Sequence, residues 1–380
     1  MLRRLPAVMV PLLLLTACGP TLPAPAAPVP KIPLDVVEVE PLPTVGAVEV
    51  RDATPPPVAI GADGYFVLNG RRTVVYGLEE EHHVYTEQEL DLLVPALREL
   101  GVTFLVVYRG NVQQDFFYER FEREGLWVAQ ELGNVKKRVA SPFAGTGGVL
   151  GTVPDEETIA SNLQHIDELV GRLARHRSIL FWWIGGEFAE RDFHTPAGEQ
   201  AVRASVALYA DAVRARDPLG RPFTVSHHYV EALEDALLPF IDFSDLTDFT
   251  WFTVATHFHS CDFIEGGGWY PLARASEVPL ALEVLLARAW QLNHERPVFF
   301  GGWYAQAPLL GACSMEHQAE GMREKWRVLS TVPSMGASAY HLAEWQENGI
   351  PHAMLEWRDG ALAPTSAGTA LREILAAAPH

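Results

Sequence analysis

An α/β protein, a (β/α)8 TIM barrel entered through an N-terminal β-hairpin, is the fold that this sequence predicts. Three observations lead there. Strand-like and helix-like runs alternate from about residue 64 to the C-terminus. The run Ile179–Ile184 is apolar without alternation, as a strand buried on both faces of a parallel sheet must be. The stretch from Gly64 to Gly77 sets Asn69-Gly70 between two strand-like runs, the strongest short-range hairpin signal.

The elements follow in order. Thr86 and Glu89 form a capping box that opens a helix to about Leu100, and Gly101 stops it. Val102–Tyr108 reads as a buried strand, Phe116–Glu124 as a helix and Leu126–Gln130 as a short strand. Asp155–His176 is a long helix ahead of the Ile179 strand, which runs into Gly185 and Gly186, where the backbone is expected to turn sharply before Glu187. Glu199–Arg216 is a helix closed by Asp217-Pro218. Pro222–Ser226 follows as a strand, Val230–Leu238 as a helix and Asp248–Thr253 as a strand. Glu277–Asn293 is helical, Pro297–Phe300 a strand, Met315–Ser330 a helix, Ala337–Leu342 the last strand and Ala367–Ala377 the closing helix. Eight strand–helix units in this order are what such a barrel requires.

The N-terminus reads as a targeting device. Arg3 and Arg4 precede a short apolar core, Val8–Leu15, which ends in Leu15-Thr16-Ala17-Cys18. That ending resembles a bacterial lipobox. The resemblance implies removal of residues 1–17, lipid on the Cys18 sulfur and a place in the cell envelope outside the cytoplasm, at the outer membrane if the cell has one. Residues 18–58 are rich in proline, with 11 prolines between residues 19 and 58. They read as a semi-stiff tether that buries no core of its own. Residues 59–380 are then the barrel.

An apolar fraction of 48% supports a large core, and a net charge of −19 argues against nucleic acid and for neutral or cationic ligands. Beyond Cys18 only Cys261 and Cys313 remain, in an oxidising compartment; they are read either as a disulfide or as two buried thiols.

Glu187 stands just after the buried Ile179 strand, at the end where α/β barrels keep their chemistry. Trp182, Gly186 and Glu187 resemble the Trp-x-x-x-Asn-Glu pattern that ends strand four of the large retaining clan of barrel glycoside hydrolases, families 2 and 5 and their relatives. The Gly64–Gly77 segment is similar to the entry of the same barrels. This resemblance implies a carbohydrate ligand and makes Glu187 the general acid/base, in a pocket walled by Trp182 or Trp183. It departs from the family at two points. Glycine replaces the asparagine before Glu187. Arg296-Pro297-Val298-Phe299-Phe300-Gly301-Gly302 matches the approach to strand seven, with glycine where the nucleophilic glutamate belongs.

A second carboxylate is still required for hydrolysis, about 5 Å away in retaining enzymes and about 6.5–9.5 Å away in inverting ones. Glu344, near the end of strand eight, is the first choice; Glu79, Glu80 and Glu81 after strand one, and Asp262 and Glu265 after strand six, are the others. Trp303 and Trp345 are read as sugar-stacking residues among the rim aromatics Trp251, Trp269, Tyr270 and Tyr304. His228 and His257 are read as hydrogen-bonding the substrate. No cofactor is expected on this reading. The rim is nonetheless rich in histidine (His82, His83, His227, His228, His257, His259 and His341), which is also how a barrel holds a divalent metal. The leading expectation is a lipid-anchored glycoside hydrolase acting on oligo- or polysaccharide. Its rivals are an inactive glycan-binding relative and a metal-dependent hydrolase on the histidine rim.

Overall fold

The computed structural model describes residues 57–80, 83–134, 137–139, 150–152, 155–188, 196–227, 238–242, 245–246, 287, 290–291, 293–301, 319, 322–323, 326–327, 329–339, 354–358 and 360–378. Every described residue belongs to the compact unit Thr54–His380.

The chain enters through three short antiparallel strands, β1 (Val58–Ile60), β2 (Phe66–Leu68) and β3 (Arg71–Thr73). Asn69 and Gly70, both at positive φ, make the tight turn between β2 and β3. The main sheet is parallel and strongly curled. Its strands are β4 (Val75–Glu80), β5 (Phe104–Val107), β6 (Trp127–Asn134), β9 (Ile179–Phe188), β10 (Phe223–His227), β11 (Asp245–Leu246), β12 (Val298–Phe300) and β13 (Ser334–Ala339). Each pairs with the next in chain order, and β13 pairs with β4. Two antiparallel ribbons lie outside this sheet: β7 (Lys137–Val139) with β8 (Leu150–Thr152), and β14 (Leu355–Arg358) with β15 (Ala361–Pro364). The five fully described helices are α1 (Glu87–Leu100), α2 (Asp115–Glu124), α3 (Glu156–Leu173), α4 (Pro196–Arg216) and α5 (Ser366–Ala377).

Local chemistry explains the helix ends. Thr86 N–H donates to Glu89 Oε2 at 2.7 Å, and Glu89 N–H donates to Thr86 Oγ1 at 3.3 Å, so the capping box satisfies two otherwise orphaned donors. Gly101 takes the left-handed conformation after α1, where a side chain would strain. Leu90, Leu93, Val94, Leu97 and Leu100 of α1 are all buried, a spacing that forms one apolar stripe against the sheet.

Period-two alternation sorts side chains between two cores. Tyr76 and Leu78, Leu105 and Val107, Val128 and Leu132, and Trp182 and Ile184 face outward into the large core beneath the helices. Val75, Phe104, Val106, Ala129, Phe181, Trp183, Phe299 and Met335 form a second core on the inner face, which Val58, Phe66 and Leu68 of the entry strands join. There Phe181 stacks on Phe66 with ring centres 6.0 Å apart and meets Phe299 edge-on at 5.5 Å. The N-terminal half of the interior is thereby filled with aromatic rings, and the polar chemistry is left to the C-terminal strand ends. Gly77 faces inward, where a methyl group would overlap the ring of fully buried Phe104. Gly77→Ala is therefore expected to cost about 1–3 kcal/mol through overpacking, read as a lower urea midpoint at unchanged slope.

Two sequence expectations are corrected here. The strand after Gln130 continues to Asn134. The Ile179 strand runs straight through Gly185 and Gly186 to Phe188 instead of ending in a turn. A short strand, Asp245–Leu246, follows β10 in the sheet; the expected run 248–253 lies outside the described residues. The two outer ribbons were not anticipated.

Candidate active site at the C-terminal strand ends

Above the aromatic layer the inner face turns polar. In β4 the inward series Val75, Gly77, Glu79 ends in a carboxylate that is 3% exposed. Ser338 Oγ of β13 donates to Glu79 Oε1 at 2.7 Å, and the hydroxyl of Tyr108, just after β5, donates to Glu79 Oε2. Three strands thus converge on one carboxylate. Glu131 of β6, 8% exposed, is the second acidic group. Its Oε2 accepts the Arg109 backbone N–H at 2.8 Å. Its Oε1 would lie 2.5 Å from a Cβ built on Gly185. The glycine is needed there because a neighbouring carboxylate occupies the space, not because the chain turns.

Trp183 completes this floor. It is 6% exposed, stands edge-on to Tyr108 at 5.3 Å between ring centres, and its indole Nε1 has no hydrogen-bond partner. Unpartnered buried donors are rare in native folds, and this one belongs to the strand residue in register with Glu131.

Glu80, on the alternate face of β4, does different work. It accepts from the Tyr85 hydroxyl and from His83 N–H (2.9 Å), while Asn111 Nδ2 donates to the Glu80 carbonyl at 2.8 Å. Gln113 joins the same network by donating from Nε2 to the His83 carbonyl at 2.8 Å and accepting Tyr85 N–H at 2.9 Å. This buried network pins the chain on the far side of β4 to the segment after β5. Of the strand-one acids, Glu79 alone is shown on the inner floor.

Glu187 occupies the C-terminal end of β9. Ile184 pairs with Val225 and Phe188 with His227, so residues 185–187 face the single residue Ser226 across a bulge. Bulges are a recurrent device for re-aiming a residue beside an active site. The Glu187 side chain, and all of Cys18, Glu81, His82, His228, Trp251, His257, His259, Cys261, Asp262, Glu265, Trp269, Tyr270, Trp303, Tyr304, Cys313, His341, Glu344 and Trp345, lie outside the described residues. Among the described residues no three His, Cys, Asp or Glu side chains group as metal ligands, and no helix is long and apolar enough to cross a membrane.

The assignment of Trp182 to substrate is corrected. Its side chain is fully buried on the outer face. The indole N–H donates to Asp217 Oδ2 at 2.8 Å, and the Arg221 guanidinium lies 5.0 Å from the ring centre. The alternation of β9 sends Trp182 under the helices and Trp183 to the floor. Trp182→Phe is expected to lower stability by about 1–3 kcal/mol through a void and a lost donor, read as a lower midpoint in thermal melting.

Sequence reasoning missed Glu131, Tyr108 and Ser338, and left open which of Trp182 and Trp183 faces inward. A signal existed for Glu131: a charge inside an otherwise apolar strand is rarely buried without a purpose. Ending that strand at Gln130 placed Glu131 in a loop and hid it.

No family model matches the sequence, and neither does any curated protein. Solved structures do match the fold. A β-glucuronidase from Bifidobacterium dentium, complexed with coumarin-3-O-glucuronide, superposes with a TM-score of 0.61 at 15% identity, covering 85% of this chain and 49% of that one. The β-D-glucuronidase of Dictyoglomus thermophilum gives 0.59 at 16%, covering 85% and 54%. A GH2 β-galacturonidase from Eisenbergiella tayi, bound to galacturonate, gives 0.56 at 13%, covering 83% and 53%. The likeness is one of fold, and the chain spans about half the length of these neighbours.

Proposed function

We propose that the chain is a lipid-anchored, extracytoplasmic glycoside hydrolase-like protein acting on oligo- or polysaccharide, built as a closed (β/α)8 TIM barrel. The observation that carries this reading is the acidic floor at the C-terminal strand ends, with Glu187 on the bulged end of β9 beside it, in a fold shared with glycosidases. Glu187 acts as the general acid/base. It donates a proton to the leaving glycosidic oxygen, and a second carboxylate either attacks the sugar or activates a water. Glu344 remains the first choice for that partner. Glu79 is the strand-one alternative, oriented for it by Tyr108 and Ser338. Trp303 and Trp345 stack on the sugar, His228 and His257 hydrogen-bond it, and lipid on Cys18 holds the barrel at the cell envelope through the proline-rich tether.

The glycine at the expected nucleophile position after β12 favours a second reading, glycan binding without cleavage. One experiment separates the two: sugar release from a broad panel of glycosides and polysaccharides, wild type beside Glu187→Gln. Release by the wild type that is lost in the variant supports hydrolysis. Binding without release by either protein supports the second reading, and equal release by both removes Glu187 from the mechanism.

A further inference from the structure

At the N-terminal ends of β11 and β12 the structure holds a cavity of about 500 Å³, between the β1–β2 turn and the segments that lead into those two strands. Its volume suits one small molecule, for which sites of about 300–1,000 Å³ are usual. The chemistry of α/β barrels collects at the opposite ends of the strands, so a ligand here is not a substrate of Glu187.

The walls of the cavity divide by chemistry. Ile60, Leu238, Ile241 and Pro297 supply an apolar side, and no Phe, Tyr or Trp among the described residues offers a sugar a ring to stack on. Arg296 and His294 supply a basic side. Both are exposed, and among the described residues neither side chain forms a hydrogen bond or an ion pair. Asp242 is the one carboxylate among the described lining residues, and it is already engaged. Its Oδ2 accepts the Phe223 N–H at 2.8 Å, and its Oδ1 lies 3.6 Å from Nη2 of Arg214.

The backbone that carries the basic side has an uncommon shape. His294 and Glu295 are consecutive non-glycine residues in the left-handed region, at φ 55° and 58°. That conformation costs L-residues free energy and persists where surrounding contacts enforce it, often at ligand clamps. Such contacts are present. Asn293, 2% exposed, donates from Nδ2 to the Arg296 and Pro297 carbonyls at 3.2 and 3.3 Å, and Glu295 N–H donates to the Trp290 carbonyl at 2.9 Å.

We propose that this cavity binds a small organic acid, a monocarboxylate with a compact apolar body. The carboxylate pairs with the Arg296 guanidinium, whose planar fork matches it. His294 adds a second donor, and the body lies along Ile60, Leu238, Ile241 and Pro297. One uncommitted permanent cation, with Asp242 on the same wall, balances a single negative charge and so favours a carboxylate over a phosphate dianion. The net charge of −19 opposes any anion at long range. At physiological ionic strength that field is screened beyond about 8 Å, and the local contact decides. The site is independent of the carbohydrate reading.

The test titrates phenylacetate, its neutral amide phenylacetamide and phenyl phosphate into the full chain, by calorimetry with saturation-transfer NMR for weak binding. Phenylacetate is expected to bind about tenfold or more tighter than the amide, the worth of one charge-assisted contact. Arg296→Gln is expected to weaken phenylacetate by about tenfold and leave the amide unchanged. Ala62→Trp, which fills the cavity from an exposed position on its wall, is expected to remove both. Arg323→Gln deletes a cation that does not line the cavity and is expected to change neither. Should circular dichroism show that Arg296→Gln has not folded, Ala62→Trp decides, and phenylacetate binding retained in it overturns the proposal. Equal binding of acid and amide overturns it too, as does a discrimination that survives Arg296→Gln, tighter binding of phenyl phosphate, or no binding at all. None of these outcomes bears on sugar release, so the glycosidase reading stands or falls separately.

Discussion

On the proposed glycosidase reading, Glu187→Gln is expected to lower sugar release by about 10²–10⁴-fold, with KM changed little. Gln keeps the size and most of the hydrogen-bonding capacity of Glu but has no proton to give, so what disappears is proton transfer in the transition state, and a positioned general acid contributes a factor of that order. An equal fall in kcat and kcat/KM is the signature of an interaction made only in the transition state. An aryl glycoside with a very good leaving group needs little protonation. Release from it is expected to fall much less than release from an alkyl glycoside or a polysaccharide. That contrast makes the prediction specific: a merely structural role for Glu187 would depress all substrates alike. Comparable losses on both leaving groups would remove the acid role.

Asp217→Ala is expected to destabilise the fold by about 3–5 kcal/mol, because it strands a buried charge. Asp217 and Arg221 have side chains 1% and 0% exposed. The Arg221 guanidinium donates to both Asp217 oxygens, at 2.9 Å from Nε and 2.7 Å from Nη2, and to the His176 and Ala174 carbonyls at 2.7 and 2.8 Å. The Trp182 indole and the Arg221 backbone N–H also donate to Asp217. One carboxylate therefore ties the end of α4 to β9, and through Arg221 to the segment after α3. Against a total stability of about 5–15 kcal/mol for a domain, its loss is large.

The same site carries a pH signature. Burial pushes the Asp217 carboxyl upward, but the hydrogen bonds and charge of Arg221, with the Trp182 indole, outweigh it and hold the folded-state value below 3.8. A carboxyl depressed in the folded state contributes stability that is fully present above its unfolded-state pKa of about 3.9 and is lost as pH falls through the folded value. Urea midpoints of wild type and Asp217→Asn should differ most at neutral pH and converge below about pH 4. A constant difference down to pH 2 would show that the pair does not titrate in this way.

Much of the architecture was legible because it depends on near-neighbour chemistry. The Thr86–Glu89 capping box, the stop at Gly101, the Asn69-Gly70 turn and the unbroken apolar run of β9 act over a few residues, and each emerged close to where pattern reasoning placed it. The acidic end of β4 and the place of Glu187 at the end of β9 were legible for the same reason. The function of individual side chains was not. Trp182 and Trp183 are chemically equivalent neighbours, and which of them faces the floor depends on the register of β9 against β6 and β10. Gly185 reads locally as a hinge, and only the Glu131 carboxylate arriving from the adjacent strand reveals it as cleared space. Glu79 joins Ser338 across 259 positions of sequence, a contact that no local pattern encodes. The sequence by itself determined the Thr86–Glu89 start and Gly101 stop of α1, the Asn69-Gly70 turn and the buried run of β9, because those are set by propensity, capping and turn chemistry within a few residues. Only the tertiary structure decided which carboxylates and which tryptophan share the floor, because strand register and curl bring together groups far apart along the chain.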